Sequence, residues 1–290
     1  MLLYVKLILA ACFWGGTFVA GRMASMQSGP FSIAFLRFAI ASILLLLYVR
    51  KRNGSIPILH NGRDIVNAII LALTGIFAYN ALFFTALQTV HASRAAVIVA
   101  NNPIVIAICA AIFLKEPFSW LKGVGIVVSV CGTLIAITHG ELNFFASHPF
   151  TMGDLILLGC LASWATYSVY GKTAMKGMSP LSAVTWSCTF GAIMLFPFAL
   201  YEGMASHLME YSLTFWASVV YLAVFGTVLG FTWFYEAVKE IGAARAGAFI
   251  NFVPLTAILF GWLFLGEPIS ISLLVGTSLV ICGVYVANRH

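Results

Sequence analysis

The sequence predicts an all-α, polytopic membrane protein of ten transmembrane helices, arranged as two inverted five-helix repeats. Three observations predict it. Of 290 residues 62% are hydrophobic and 8% charged, whereas a soluble domain carries about 25% charge and roughly half apolar residues at most. A mean hydropathy of +1.02 leaves too few polar side chains to cover a water-facing surface. Next, apolar runs of roughly 18 to 24 residues, each long enough to cross the hydrocarbon, recur along the chain between Gly, Pro, Asn or charged residues. Finally, the stretch from Phe83 to Ala136 occurs twice. Moved forward by 151 positions it falls on Phe234 to Ala287, with about 16 of 54 positions identical, and such repeats decide architecture before local reading does.

Taken in order, the first run extends over about Leu2 to Met23. With Lys6 ahead of it, it imitates a secretory signal. It has its own copy later in the chain, however, and is assigned to the fold. The second run, Phe31 to Val49, follows Pro30 and stops at the basic cluster Arg50-Lys51-Arg52. Ile65 to Leu87 is the third; the fourth, Arg94 to Leu114, contains Pro103 and halts before Glu116-Pro117. Trp120 to Thr138 completes the first set. The second set runs Asp154 to Thr173, Leu181 to Leu200, Thr214 to Val238, Arg245 to Leu265 with Pro254 inside it, and Ile271 to Asn288. All ten must be helices, since lipid offers no partner to an unpaired backbone amide.

The duplication aligns Arg94 with Arg245, Pro103 with Pro254, Glu116-Pro117 with Glu267-Pro268 and Cys131-Gly132 with Cys282-Gly283. At an offset of 150 it continues to Trp14 with Trp164, Gly21 with Gly171, Arg22 with Lys172, and Pro30 and Ser32 with Pro180 and Ser182. Residues 1–140 thus form the first repeat and 141–290 the second. Five spans is an odd number, so the second repeat enters the membrane from the opposite side. Charge tests this. With the N-terminus cytoplasmic, about twelve Lys and Arg residues, from Lys6 and Arg50 to Lys239 and Arg289, fall inside, and Arg22 and Arg94 alone fall outside. That bias obeys the positive-inside rule and puts both termini in the cytoplasm. The outer connections 139–153 and 201–213 carry no Lys or Arg, and no soluble domain is expected.

The net charge of +6 therefore reports topology, and no nucleic-acid partner is expected. Cys12, Cys109, Cys131, Cys160, Cys188 and Cys282 all lie in apolar runs without paired spacing, which fits small packing residues and neither a disulfide framework nor a metal site. No cofactor is implied.

Inside the spans, helix one places Trp14, Thr17 and Gly21 on one face, and helix six repeats this with Trp164, Tyr167 and Gly171. Two aromatic walls across a pseudo-twofold axis suit a flat or apolar ligand; helix packing or interfacial anchoring is the alternative. Pro103 and Pro254 remove backbone donors, loosen the carbonyls of Val99 and Ile250, and are candidate hinges. Beside them stand Asn101, Asn102 and Asn251, and Asn80 next to Tyr79 reaches the same depth. Intramembrane amides must bond something, whether a neighbouring helix or the contents of a polar cavity. Arg37 lies seven residues beyond Pro30, roughly 10 Å below the outer end at 1.5 Å per residue. It is either a structural tie to carbonyl ends or a counter-charge for a carboxylate or phosphate. Its repeat partner is Ser187, beside Trp186. Glu116 and Glu267, each before a proline, are read as caps of the helices that follow, and Glu236 as the partner of Lys239. The glycines of helices five and ten, including Gly125, Gly132, Gly276 and Gly283, are expected to pack those helices together within the monomer.

In these features the chain resembles the drug/metabolite transporter superfamily of the EamA type. Trp14-Gly15-Gly16-Thr17-Phe18, Arg37-Phe38-Ala39, Pro103 with Phe113-Leu114-Lys115-Glu116, and Pro254 with Phe264-Leu265-Gly266-Glu267 carry the resemblance over essentially the whole length. It implies two EamA repeats, with a central cavity lined by helices one, three, four, six, eight and nine and helices five and ten at the periphery. It also implies export or exchange of small metabolites, often amino acids.

The expected function is a secondary transporter in the cell inner (plasma) membrane, exporting or exchanging an amino acid or related zwitterionic or neutral compound by alternating access. Its partners would be a small-molecule substrate and the bilayer, with the protein a monomer or weak dimer. An anionic substrate such as a sugar phosphate or nucleotide conjugate is the rival; Arg37 and Arg94 favour it, but that class wants several convergent cations. No Asp or Glu occupies mid-helix, which disfavours proton-coupled export of cationic drugs. The six histidines lie in connections or at the end, and no catalytic residue is assigned, because an intramembrane enzyme needs a nucleophile and base at depth.

Overall fold

A computed structural model of the chain describes residues 2–53, 59, 61–87, 98–138, 141, 151–265 and 270–288. Among these residues every regular element is a helix, and there is no β-strand. Seven helical runs are long and apolar enough to cross a bilayer: Leu2–Ser25, Pro30–Lys51, Gly62–Ala86, Met152–Ala174, Pro180–Tyr201, Leu213–Ile241 and Ala243–Phe260. Three further apolar helices are shorter, Asn102–Leu114, Trp120–Ala136 and Ile271–Ala287.

In chain order, α1 is Leu2–Ser25, α2 Pro30–Asn53, and α3 runs from Gly62 through a π-helical stretch, Ala72–Ala78, to Leu87. α4 is Asn102–Leu114, α5 Trp120–Thr138, α6 Met152–Ala174 and α7 Pro180–Tyr201. After a one-turn helix, Met204–His207, α8 comprises Leu213–Tyr221, a second π-helical stretch, Leu222–Leu229, and Gly230–Ile241. α9 joins Ala243–Ala248 to Phe252–Leu265 through a 3-10 turn, and α10 is Ile271–Asn288. Arg94, expected at the start of the fourth span, lies outside the described residues, as do Glu267, Pro268 and five of the histidines: His60, His91, His139, His148 and His290.

The irregular backbone comes in pairs at the repeat spacing. The two π-helical stretches start 150 positions apart (222 − 72) and end 151 apart (229 − 78). α9 loosens over Phe249–Asn251, three residues before Pro254, and Ala100 and Asn101 of the other copy form a turn just before Pro103. Proline accounts for the second pair, because it supplies no N–H to the preceding turn. In the π-helical stretches the wider turn presents carbonyls sideways, and side chains take them up. Asn80 Nδ2 donates to Ile76 O at 2.7 Å and Ser163 Oγ of α6 to Thr74 O at 2.8 Å. On α8, Thr227 Oγ1 donates to Leu222 O at 3.1 Å and Trp14 Nε1 to Gly226 O at 2.8 Å.

Helices of one half pack chiefly against helices of the other: α5 along α10, α2 along α7, α1 against α8 and α9, and α6 against α3 and α4. Glycine lets α5 and α10 touch backbone to backbone. A Cβ on Gly125 would stand 2.7 Å from Gly283 O, and one on Gly132 2.7 Å from Gly276 O. Ascending α5 thus meets descending α10, so the pair is antiparallel, and the glycines pack these helices within the monomer as expected. α2 and α7 are antiparallel too, since Phe31 meets Phe198 with ring centroids 5.2 Å apart and Phe35 meets Phe196 at 5.1 Å.

Candidate functional site

At the centre of the packed helices, repeat mates meet. Trp14 of α1 and Trp164 of α6 touch edge to face, with ring centroids 5.6 Å apart and planes at 88°. Phe231 and Phe234 of α8 fill the corners, each within 6.0 Å of Trp14 and 5.8 Å of Trp164. Edge-to-face contact is the arrangement the ring quadrupoles favour. Trp164 also lies 5.3 Å from both Tyr79 and Tyr167, and Tyr167 stacks on Tyr235 at 4.6 Å. Tyr235 in turn donates its hydroxyl to Tyr167 O at 2.8 Å. The two aromatic walls therefore close on one another in this conformation, and the half-buried surface beside them is formed by Thr17, Phe18, Tyr79 and Phe83. Tyr79 and Phe83 lie parallel there, 5.7 Å apart at 8°.

Each π-helical stretch has a glycine facing this centre, because anything larger would collide with the opposite half. A Cβ on Gly75 would run into the Tyr167 ring; one on Gly226 would stand 2.8 Å from Thr17 Cγ2 and 3.4 Å from Arg37 Nη2. Thr17 and Tyr167 are repeat mates (167 − 17 = 150), as are Gly75 and Gly226 (226 − 75 = 151). The same backbone device is thus filled by different side chains.

Arg37 is the charged group of this region, 9% exposed. Its Nε donates to Thr227 Oγ1 at 2.8 Å, and the guanidinium carbon lies 4.9 Å from the Phe38 ring centroid and 5.8 Å from that of Phe231. The Tyr79 phenol and Cys188 thiol are within electrostatic range. No carbonyl holds the guanidinium among the described residues, so the structural tie takes the form of a hydroxyl and two rings.

The amides separate. Asn80 is buried and satisfies its own helix, and Asn101 Nδ2 reaches Ile98 O at 3.2 Å. Asn102 is 1% exposed with no partner for Oδ1. Asn251 Nδ2 donates to Ser129 Oγ of α5 at 2.7 Å, and its Oδ1 is also unpaired. Asn251 is thereby turned towards the α5 and α10 pair. Trp186 packs on Phe190 at 5.6 Å, still half-buried. Among the described residues no cluster of His, Cys, Asp and Glu has the makings of a metal site.

The EamA-like transporter family matches residues 1–138 and 151–289. The chain belongs to that family. It is 31% identical over 286 residues to YyaM, an uncharacterized transporter of Bacillus subtilis, covering 99% of this chain and 93% of that one. An uncharacterized transporter of Archaeoglobus fulgidus is 27% identical, with 99% and 98% covered. A probable terminal-alkyne amino-acid exporter of Streptantibioticus cattleyicolor is 25% identical, with 98% and 92% covered. One crystal structure superposes with a TM-score of 0.78 over 99% of both chains at 18% identity, which speaks to the fold alone. Apolar helices and transporter relatives together make this EamA-like transporter a multi-pass membrane protein.

Several contacts of the EamA-like chain depart from the sequence reading. Glu116 caps α9 rather than the helix after it: it accepts from Ala243 N at 3.0 Å and Ala244 N at 3.4 Å, with Lys172 Nζ at 3.7 Å. Ser119 caps α5 instead, accepting from Lys122 N at 3.2 Å. Glu236 pairs with Lys6 of α1 at 2.6 Å, because packing against α1 offers a closer cation than Lys239 on its own helix. Glu202 accepts from Phe31 N and from Ser32 N and Oγ at the start of α2. Thr227, Phe231, Phe234 and both π-helical stretches went unread. A glycine at mid-span in both copies, Gly75 and Gly226, was the available signal.

Proposed function

We propose that this EamA-like transporter exports or exchanges a small metabolite, an amino acid or related zwitterionic or neutral compound, by alternating access. The proposed build is ten spans in two inverted repeats, residues 1–140 and 141–290, in the inner (plasma) membrane with both termini cytoplasmic. The substrate would be handled by Trp14, Thr17, Arg37, Tyr79, Asn80, Asn101, Asn102, Trp164, Tyr167, Trp186 and Asn251, with Pro103 and Pro254 as hinges. The bilayer and the substrate are the partners, and the protein works as a monomer or weak dimer.

One observation carries this reading. Two π-helical stretches, paired between the copies, meet where Trp14 touches Trp164: Trp14 bonds Gly226 O of one, and Tyr167 beside Trp164 packs on Gly75 of the other. Discontinuous helices meeting at a repeat interface are the usual setting of a transported substrate. The antiparallel pairing of α5 with its repeat mate α10, and of α2 with α7, supports inversion. The long-range polar contacts support ten spans. Lys6 with Glu236 and Glu116 with α9 join segments the topology puts inside. Glu202 with α2 and Ser28 with Tyr211 join segments it puts outside. The amino-acid class is supported by the relative named as an amino-acid exporter and by rings beside a single cation. An anionic metabolite is the second reading, favoured by the buried Arg37.

Proteoliposomes loaded with amino acids and related compounds test it by counterflow. Trp14→Ala and Asn102→Ala should each abolish exchange while folded protein remains in the membrane. Normal exchange in both variants would remove the site assignment, and a tag after His290 detected outside the cell would remove the topology.

A further inference from the structure

We infer that the free edge of Arg37, opened by the π-helical turn at Gly226 and Thr227, is a receptor for a single carboxylate on a compact, largely apolar body. This rests on the transport reading above and names the ionic group the substrate must carry. Arg37 stands at 9% exposure, a depth at which an unpaired cation is costly. Its one hydrogen bond goes to a neutral hydroxyl, and the Phe38 and Phe231 rings cover its face. Among the described residues no carboxylate pairs with it. A neutral hydroxyl and two rings do not offset removing a guanidinium from water, so the missing negative charge is left for a ligand to bring.

The local backbone presents the free edge. Thr227 Oγ1 donates to Leu222 O, five residues back, a bond the π-helical turn makes possible. Its lone pair then faces Arg37 Nε and holds that atom, leaving the two Nη groups as a fork for two oxygens. Gly226 clears the approach, since a side chain there would begin 3.4 Å from Nη2. Half-buried Tyr79, in electrostatic range of the cation, and Phe83 stacked on it form a flat shelf alongside. The repeat mate of Arg37 is Ser187, so the second copy supplies no matching charge. Among the described residues Arg37 is the one cation placed here, and one cation balances a carboxylate and leaves a phosphate dianion half compensated.

Phenylacetate and phenylacetamide, which share a body and differ in charge, are the probes, titrated against purified protein by thermal shift. Wild type should bind the acid about tenfold more tightly than the amide, and phenyl phosphate less tightly than the acid. Arg37→Gln should bring the two probes within about twofold by removing the charge-assisted bonds, while Arg37→Lys keeps part of the preference. Equal affinity in wild type, or no response to either probe, overturns the inference, as does a preference that survives Arg37→Gln. If Arg37→Gln does not fold, the wild-type comparison and Arg37→Lys decide. A titration with phosphatidylglycerol separates the other source of an anion: competition by it, and none by phosphatidylcholine, would make the occupant a lipid headgroup and overturn the substrate subsite. Counterflow that persists without acid preference would sink this inference alone; acid preference without counterflow would sink the transport reading alone.

Discussion

Removing the Glu116 carboxylate should loosen the N-terminal end of α9 more than breaking its ion pair with Lys172 would. Glu116 receives Ala243 N at 3.0 Å and Ala244 N at 3.4 Å across the two halves, and it is 13% exposed, so water does not readily replace it. Gly242 allows the approach: its φ of +90° is open to glycine, and a Cβ there would stand 2.6 Å from Glu116 Oε1. Glu116→Ala leaves two N–H groups unmet, one well bonded and one weakly, for a loss of about 2–3 kcal/mol. The Lys172 partner at 3.7 Å is 31% exposed and contributes about 0–1 kcal/mol. At about 2–4 °C per kcal/mol for chains of this size range, Glu116→Ala should lower Tm by about 4–12 °C. Glu116→Gln keeps one acceptor and should fall about halfway, and Lys172→Met should cost about 0–4 °C. Melting of purified protein followed by intrinsic fluorescence reads all three. A Glu116→Ala protein melting within about 1 °C of wild type, or a larger fall for Lys172→Met, would refute the capping role.

Two packing predictions follow from the glycines. Gly226→Ala puts a Cβ 2.8 Å from Thr17 Cγ2 and should cost about 1–3 kcal/mol by overpacking. Pairing it with Thr17→Ser, which deletes that methyl, should restore part of the loss, and no recovery in Tm would argue against the contact. Gly276→Val drives a side chain into Gly132 O and Ala136 Cβ, 2.5 and 2.6 Å from the first added carbon. Because a backbone carbonyl cannot rotate aside, Tm should drop by more than for Gly226→Ala. A change in oligomeric state on size exclusion with Tm intact would instead place that glycine face between molecules.

The architecture was legible because a bilayer leaves few choices. Helices are obligatory in hydrocarbon, so apolar length sufficed to locate the helical runs, seven of which are long and apolar enough to cross a bilayer. Trp14 and Trp164 were legible as a pair because duplication marked them, and they do meet. What the sequence hid are contacts made across the halves. Glu116 reads as a local cap from its neighbour Pro117, yet its partner lies 127 residues away (243 − 116). Glu236 has a suitable cation three residues on, and packing gives it Lys6 instead. Asn251 reads equally as an interhelical tie or a cavity amide beside Pro254; its Nδ2 bonds Ser129 of α5, a partner that no local signal marks, while its Oδ1 stays unpaired. The π-helical stretches escaped because no propensity marks a turn whose hydrogen bonds are completed from a neighbouring helix.

Comparing the two copies separates scaffold from chemistry. Both keep the π-helical turn and the glycine at its centre, so the wide turn does not depend on any one partner side chain. In one copy that glycine receives the Tyr167 ring, and Ser163 takes the carbonyl before it. In the other it admits Thr17 and the edge of Arg37, with Trp14 on the carbonyl. The duplicated fold has therefore placed the Arg37 cation on one side only, since Ser187 stands where its repeat mate would be. Exchanging the two positions, Arg37→Ser with Ser187→Arg, separates the roles. If the charge alone mattered, acid preference would follow the arginine to α7. Because the Thr227 hydroxyl that orients Nε has no counterpart at its repeat mate Ile76 (227 − 76 = 151), the exchange should instead abolish the preference.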